Sequence, residues 1–197
     1  MPAWNASLLG AGVVVADLDS GIRATHVDLV GKIAPGGYDF VNDDNDPFDD
    51  EASVTQGHGT ASAGIIVGNW NGVGVGGIAP SARVLPVKIT DDKNETTGNL
   101  ISQGVDYAAA NPSVRIILLE TVGTSTSTEE FDSFQSAVVK GKLIIAPAGN
   151  RGEASPFSPA SSFDALGGAG LIVGSHDGAG NRSFFSNGAQ GHETNFI

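Results

Sequence analysis

The sequence predicts an α/β fold: doubly wound, with a mostly parallel sheet and helices on both faces. Short, apolar, β-branched runs recur along the chain, as strands buried on both faces require. Segments of about ten to fifteen residues with helical signals alternate with them, which is the spacing of βαβ units. The 197 residues suffice for a core of their own. With no internal repeat and no low-complexity linker, residues 1–197 are expected to form one domain.

The elements follow in order. Residues 12–19 (GVVVADLD) are a continuous β-branched run and the first strand. Residues 28–56 are loop-rich and acidic, and 58–68 read as a buried helix of small residues. Residues 83–90 (RVLPVKIT) form the next strand, although Pro86 cannot donate to a ladder. A helix over 99–111 closes at Asn111-Pro112. A strand at 115–120 precedes a helix over 127–141, opened by the capping-box pattern Ser127-Thr-Glu-Glu130. Residues 142–148 form a further strand, and 170–175 and 183–186 two more short ones.

Composition removes several functions. Twenty-two acidic residues against ten basic ones give a net charge of −12, so nucleic acid is not the expected partner. The absence of cysteine excludes disulfides, thiolate zinc sites and a cysteine nucleophile. The apolar runs are too short to span a membrane. No charged-then-apolar leader opens the chain, so any secretion signal is expected to have been removed or never included.

In parallel sheets, function gathers at the carboxyl ends of the strands. The first strand ends in Asp17-Leu18-Asp19-Ser20-Gly21. An aspartate there can simply cap the next turn. It can also orient a histidine and stabilise its charged form. A third reading makes Asp17 and Asp19 the D-x-D of a haloacid-dehalogenase-like, magnesium-dependent phosphatase. His58 favours the histidine reading. It sits between Gly57 and Gly59 at a helix start, and Gly59, Ala61, Ser62, Ala63 and Gly64 allow that helix to press against the sheet. The phosphatase reading lacks a second strand ending in Ser or Thr and a downstream lysine and acidic pair. Asp17 is expected on the strand's other face and receives no role.

Three ordered motifs carry a resemblance. "VVVADLDSGIRATHVDL" resembles the first signature of the subtilisin-like serine proteases (subtilases), and "GHGTASAGIIVG" their second, H-G-T-x-x-A-G-x-x-x-G. "KLIIAPAGNRG" resembles the strand that carries their oxyanion asparagine. The resemblance implies that Asp19 holds the imidazole, that His58 is general base and then general acid, and that Asn150 donates to the tetrahedral oxyanion. Ala61 stands where the family often repeats a histidine.

The family's nucleophile motif, G-T-S-x-x-x-P, is absent. "GTSTS" at 123–127 precedes Asn150, lacks the proline and runs into a helix cap, so Ser125 reads as loop. The chain is expected to end inside the fold and to be inactive without the remaining C-terminal part of the domain that carries the serine. A non-catalytic, peptide-binding relative is the alternative.

The resemblance also implies a groove that binds peptide or protein substrate as an added strand. Thr121, Val122 and Gly123 would be its edge, and Ala146, Pro147, Ala148 and Gly149 one wall of the specificity pocket. Glu120, Leu118 and Leu119 depart from the family's usual strand. The loop 38–51 (YDFVNDDNDPFDDE) gathers oxygen ligands of the kind calcium takes, Asp39, Asn42, Asp43, Asp44 and Asp46. In the family's version Asp39, Asn42, Asp44 and Asp46 would be ligands. A second structural calcium would use the side chains of Asp28 and Asn71 with the carbonyls of Asn69, Val73 and Val75. Secretion is the compartment the resemblance implies.

Overall fold

The central strand of the sheet is the first apolar run of the chain. A computed structural model describes residues 2–49, 57–91, 93 and 95–197. After a one-turn helix α1 (Pro2–Asn5), β1 (Val14–Asp19) leads to β2 (Tyr38–Asp39), α2 (His58–Val67) and β3 (Arg83–Lys88). Then come α3 (Gly98–Ala110), β4 (Val114–Leu119), α4 (Thr128–Val139), β5 (Leu143–Pro147) and β6 (Gly170–Val173), with a 3-10 helix over Ala160–Ala169 between the last two strands. The strand order is β2-β3-β1-β4-β5-β6, with every pairing parallel. The expected doubly wound architecture is what forms.

Alternation along β1 sorts its side chains between two layers. Ala16 and Leu18 join Ile101, Val105, Phe134 and Ala137 of α3 and α4 in the larger core. On the opposite face α2 supplies Ala63 and Val67 to a smaller cluster with Ile22, Leu29 and Val84. Phe134 packs edge-on against Phe163 at 5.5 Å, tying α4 to the 3-10 helix. Burying a side chain of that size contributes about 2–3 kcal/mol.

Asp17 and Asp19 lie two residues apart, so both turn toward α2. The expectation that Asp17 belongs to the other face is thereby corrected: a strand's period of two puts i and i+2 together. Pro86 is accommodated because its nitrogen points toward β2. Ile89 N–H donates to Asp19 O and Val84 N–H to Lys32 O, so the alternation turns position 86 the same way as Val84. There β2 pairs only from Val87 onward.

Residues 183–186 are not a strand. They form a turn, with Ser186 N–H donating to Ser183 O and Phe184 93% exposed, and only His176 and Arg182 bridge nearby. The polar, turn-forming flanks outweigh the two phenylalanines. The sequence also gave no signal for β2 or the 3-10 helix, both of which rest on tertiary pairing rather than on a periodic pattern.

Helix ends match the sequence more closely. Thr97 Oγ1 accepts from Leu100 N–H at 3.2 Å at the start of α3. In α4 the capping box closes both ways: Ser127 N–H donates to Glu130 Oε2 at 2.7 Å and Glu130 N–H to Ser127 Oγ at 3.2 Å. Replacing Ser127 by alanine is expected to lower unfolding stability by about 1 kcal/mol, read by urea denaturation.

Candidate active site

The site is built where β1 ends against the start of α2. Asp19 is buried, and its Oδ1 accepts from Ser20 N–H at 2.6 Å. Its Oδ2 meets His58 Nδ1 at 2.6 Å. The helix that delivers His58 opens at Gly57, whose φ of 79° lies in the left-handed region and whose lack of a side chain leaves no local cap. Its first N–H groups are satisfied from outside instead. Ser20 Oγ accepts from Gly59 N–H at 3.2 Å, and Asp49 Oδ2 accepts from Thr60 N–H at 3.1 Å and from Thr60 Oγ1 at 2.5 Å. Ser20 Oγ in turn donates to Asp49 Oδ1 at 3.0 Å. The serine after Asp19 thus caps the histidine's helix.

Gly59 explains the run of small residues. A Cβ there would lie 2.3 Å from Gly21 O and 3.2 Å from Asp19 Cβ. Only glycine lets α2 approach β1 closely enough for His58 to reach Asp19.

The surroundings of His58 are acidic. The hydrogen bond that His58 donates to Asp19 raises the imidazole pKa from 6.5 to about 9; burial opposes this, and the charges of Asp19, Glu120 and Asp49 reinforce it. A folded pKa above the unfolded one stabilises the fold fully below about 6.5, and that contribution disappears as pH rises through about 9. Glu120 Oε2 stands 3.8 Å from His58 Nδ1 and accepts from Ser62 Oγ at 2.7 Å. Burial raises the Glu120 pKa, while the Ser62 hydrogen bond and the charge on His58 pull it down. Asp17 is fully buried, and neither carboxyl oxygen has a hydrogen-bond partner among the described residues. Burial first, and then the charges of Glu120, Asp19 and Asp49, push its pKa well up.

Asn150 follows β5 and borders the same cleft as His58. The cleft, of about 360 Å³, is lined by His58, Leu118, Leu119, Glu120, Val122, Ile145, Ala146, Pro147, Asn150 and Val173. Of the expected groove residues, Val122, Ala146 and Pro147 therefore meet at it. Ala148 instead turns into the larger core. Gly123 N–H is bonded to Ser158 O at 2.7 Å. Thr121 sits beside Val122 without lining the cleft, and Gly149 serves as a bend. Its φ is 109°, and a Cβ would lie 2.8 Å from the Phe157 ring and 2.9 Å from Asn187 Nδ2.

Asn187, given no role from the sequence, holds this bend. Fully buried, it accepts from Arg151 N–H at 3.0 Å and Glu153 N–H at 3.1 Å, and its own N–H donates to Gly149 O at 2.9 Å. No sequence signal marks it, because an Asn-Gly pair after apolar residues reads as an ordinary turn. Asp49 was likewise passed over, as one acid among many in its loop.

The two loops with calcium-type composition differ. Asp28 is buried, its Oδ2 accepts from Val75 N–H at 3.0 Å, and its Oδ1 has no hydrogen-bond partner among the described residues. Gly74 passes directly over this carboxylate, where a Cβ would lie 2.0 Å from Oδ2. Asn69 N–H donates to Asp28 O at 2.8 Å, and Asn71 Oδ1 accepts from Val73 N–H at 3.1 Å. In the other loop Asp39 is already engaged. It accepts from Val41 N–H at 2.7 Å, from Asn42 N–H at 2.9 Å and from Asn42 Nδ2 at 3.0 Å, and Lys88 Nζ lies 3.5 Å away. Asp43 Oδ1 accepts from Tyr38 OH at 2.7 Å, and Asp44 Oδ1 from Asp46 N–H at 2.8 Å. Residues 50 and 51 of this loop lie outside the described residues.

A hydrogen-bonded carboxylate–imidazole pair thus stands beside a cleft bordered by an asparagine, at the carboxyl edge of a parallel sheet. Comparison with known proteins makes the class specific. The model of the subtilase family (peptidase S8) matches residues 10–196. Thermitase of Thermoactinomyces vulgaris is 34% identical over 185 residues, covering 93% of this chain and 62% of thermitase. The major intracellular serine protease of Bacillus subtilis (strain 168) is 34% identical over 185 residues, 93% of this chain and 57% of that protein. The crystal structure of a cold-adapted subtilisin-like serine proteinase superposes with a TM-score of 0.74 at 29% identity, over 91% of this chain and 60% of that one. The chain belongs to the subtilase family. It spans about three-fifths of the length of these relatives.

Asn187→Ala removes the acceptor of two backbone N–H groups at the Asn150 bend. It is expected to cost about 2 kcal/mol in urea unfolding, as buried donors lose their partner.

Proposed function

We propose that this chain is the larger part of a serine endopeptidase domain that hydrolyses peptide bonds by an Asp-His-Ser relay. The observation that carries the reading is the 2.6 Å contact between Asp19 Oδ2 and His58 Nδ1, with Asn150 bordering the same cleft. That contact fixes the proton on Nδ1 and leaves Nε2 to take the proton of a serine hydroxyl as it attacks the scissile carbonyl. The imidazolium so formed gives its proton to the leaving amine. Asn150 donates its side-chain amide to the oxyanion of the tetrahedral intermediate, worth about 3–4 kcal/mol in such sites. The serine is carried by a part of the domain outside these 197 residues. The share of each relative that the chain does not cover supports this, as does the absence of G-T-S-x-x-x-P. A phosphatase reading has no support, because Asp17 is buried beyond the reach of a phosphate ester.

The substrate is an extended peptide or protein segment, with Val122, Ala146 and Pro147 forming the part of the groove beside His58. The Asp28 site fits calcium. A buried carboxylate with an orphaned oxygen lies under the loop 69–75, whose carbonyls at Asn69, Val73 and Val75, with the Asn71 side chain, would complete an oxygen set. Calcium there would supply structural cross-linking and no chemical step. The Asp39 loop, with Asp39, Asn42, Asp44 and Asp46, does not fit as arranged, because Lys88 already provides the balancing positive charge. Secretion is supported by the acidic composition and the calcium-type site. One relative is named an intracellular protease, so family membership alone assigns no compartment. No helix among the described residues is long and apolar enough to cross a membrane.

The test uses the natural protein extended past Ile197. A fluorophosphonate probe read by intact mass is expected to add once, and His58→Ala to abolish the adduct. Asn150→Ala is expected to keep the adduct site while lowering kcat about 100- to 1000-fold. No adduct on a folded sample overturns the peptidase reading and leaves a peptide-binding relative. For the calcium site, millimolar calcium is expected to raise Tm in the parent protein and not in Asp28→Asn, since a ligand that binds only the folded state stabilises it.

A further inference from the structure

The relay uses one carboxylate, yet the wall behind His58 holds more. Glu120 follows β4 directly, and its N–H donates to Leu18 O at 3.3 Å, which sets it beside the end of β1. Leu119 points into the α3–α4 core, so the next residue turns to the α2 side. There Ser62, one helical turn after His58 and on the same face of α2, donates to Glu120 Oε2 at 2.7 Å. The carboxylate is thereby fixed 3.8 Å from His58 Nδ1, with 18% of its side chain exposed to the cleft.

We propose that Glu120 is a second positioning carboxylate for His58, anchored by Ser62 and placed to hold negative charge against the imidazolium alongside Asp19. The inference rests on the reading of His58 as the base.

Three segments build this arrangement: the end of β1, the residue after β4, and the first two turns of α2. The titratable groups facing His58 among the described residues are Asp19, Glu120 and Asp49. Those whose charges bear on Glu120 are Asp19 and His58, and Asp17 on β1 in turn feels the Glu120 charge. Complete burial without a hydrogen-bond partner pushes the Asp17 pKa well up, whereas the Ser62 hydrogen bond and the charge on His58 favour the ionised form of Glu120 against its own burial. A charge that close favours the protonated ring in both ground and transition states. The chemical consequence is a trade: the imidazolium formed during serine attack is better stabilised, while less of the ring is free base at neutral pH.

The experiment uses the full-length protein as wild type, Glu120→Gln and Ser62→Ala. The glutamine keeps an oxygen for Ser62 to bond and removes the charge. Two quantities are read: the titration of His58 by NMR of its ring carbon, and the pH dependence of kcat/KM on a peptide substrate. In E120Q the His58 titration and the acid limb of kcat/KM are expected to move down together by about one pH unit, which makes kcat/KM at pH 7 about tenfold higher. On the alkaline plateau kcat is expected to fall several-fold with KM unchanged. S62A is expected to move both readouts in the same direction by less, because it frees Glu120 without removing it. It decides the matter alone if E120Q does not fold. Peptide hydrolysis with an unmoved limb and titration overturns the role of Glu120 and leaves the peptidase reading standing. A Glu120-dependent titration in a protein that hydrolyses no peptide upholds the pairing and overturns the peptidase reading.

Discussion

The contact of Gly59 with the Gly21 carbonyl sets the distance between α2 and β1, and the site depends on that distance. With no side chain at either position, the helix start can rest against the backbone turn that follows Asp19. The same approach lets Ser20 Oγ reach the Gly59 N–H, while Asp49 accepts from the Thr60 N–H. The caps of α2 and the Asp19–His58 pair therefore depend on the same close approach. A larger residue at position 59 would separate the imidazole from Asp19 and uncap the helix in the same movement.

The site also has a problem of charge. Asp17, Asp19, Asp49 and Glu120 crowd one end of the sheet, in a chain whose net charge is already −12. The structure handles them unequally. Asp19 is bonded to His58, Asp49 accepts from the first turn of α2, and burial without a hydrogen-bond partner pushes the Asp17 pKa well up. Such sorting of neighbouring carboxyls by environment is how acid–base sites acquire distinct roles for chemically identical groups. At the far edge of the sheet, Asp39 meets the buried ammonium of Lys88 at 3.5 Å.

Much of this was legible in the sequence. The β-branched run ending in Asp19 and the glycine-flanked His58 announced their places, because strand burial and close helix packing restrict residue type locally. The Ser127 capping box was legible for the same reason. Asn187 and Glu120 were not. Their roles come from segments brought together by the sheet, Asn187 reaching back to Arg151 and Glu153 and Glu120 lying across from Ser62, and no local pattern records such meetings. Residues 183–186 misled because two adjacent phenylalanines resemble a strand until the turn exposes both of them. The placement of Asp17 could have been read correctly from the period of two alone.

The position of β1 in the strand order bears on how the molecule comes to exist. The strand β1 lies inside the sheet and precedes both of its neighbours in the chain: Val14 pairs with Arg83 on one side and Val114 on the other. Both of its hydrogen-bonding edges wait for partners that lie far along the chain. Such non-local pairing makes assembly slow and leaves an apolar edge open to wrong partners in the meantime. The aspartate that meets the histidine ends β1, so its surroundings close only when β3 and β4, both later in the chain, have joined that strand.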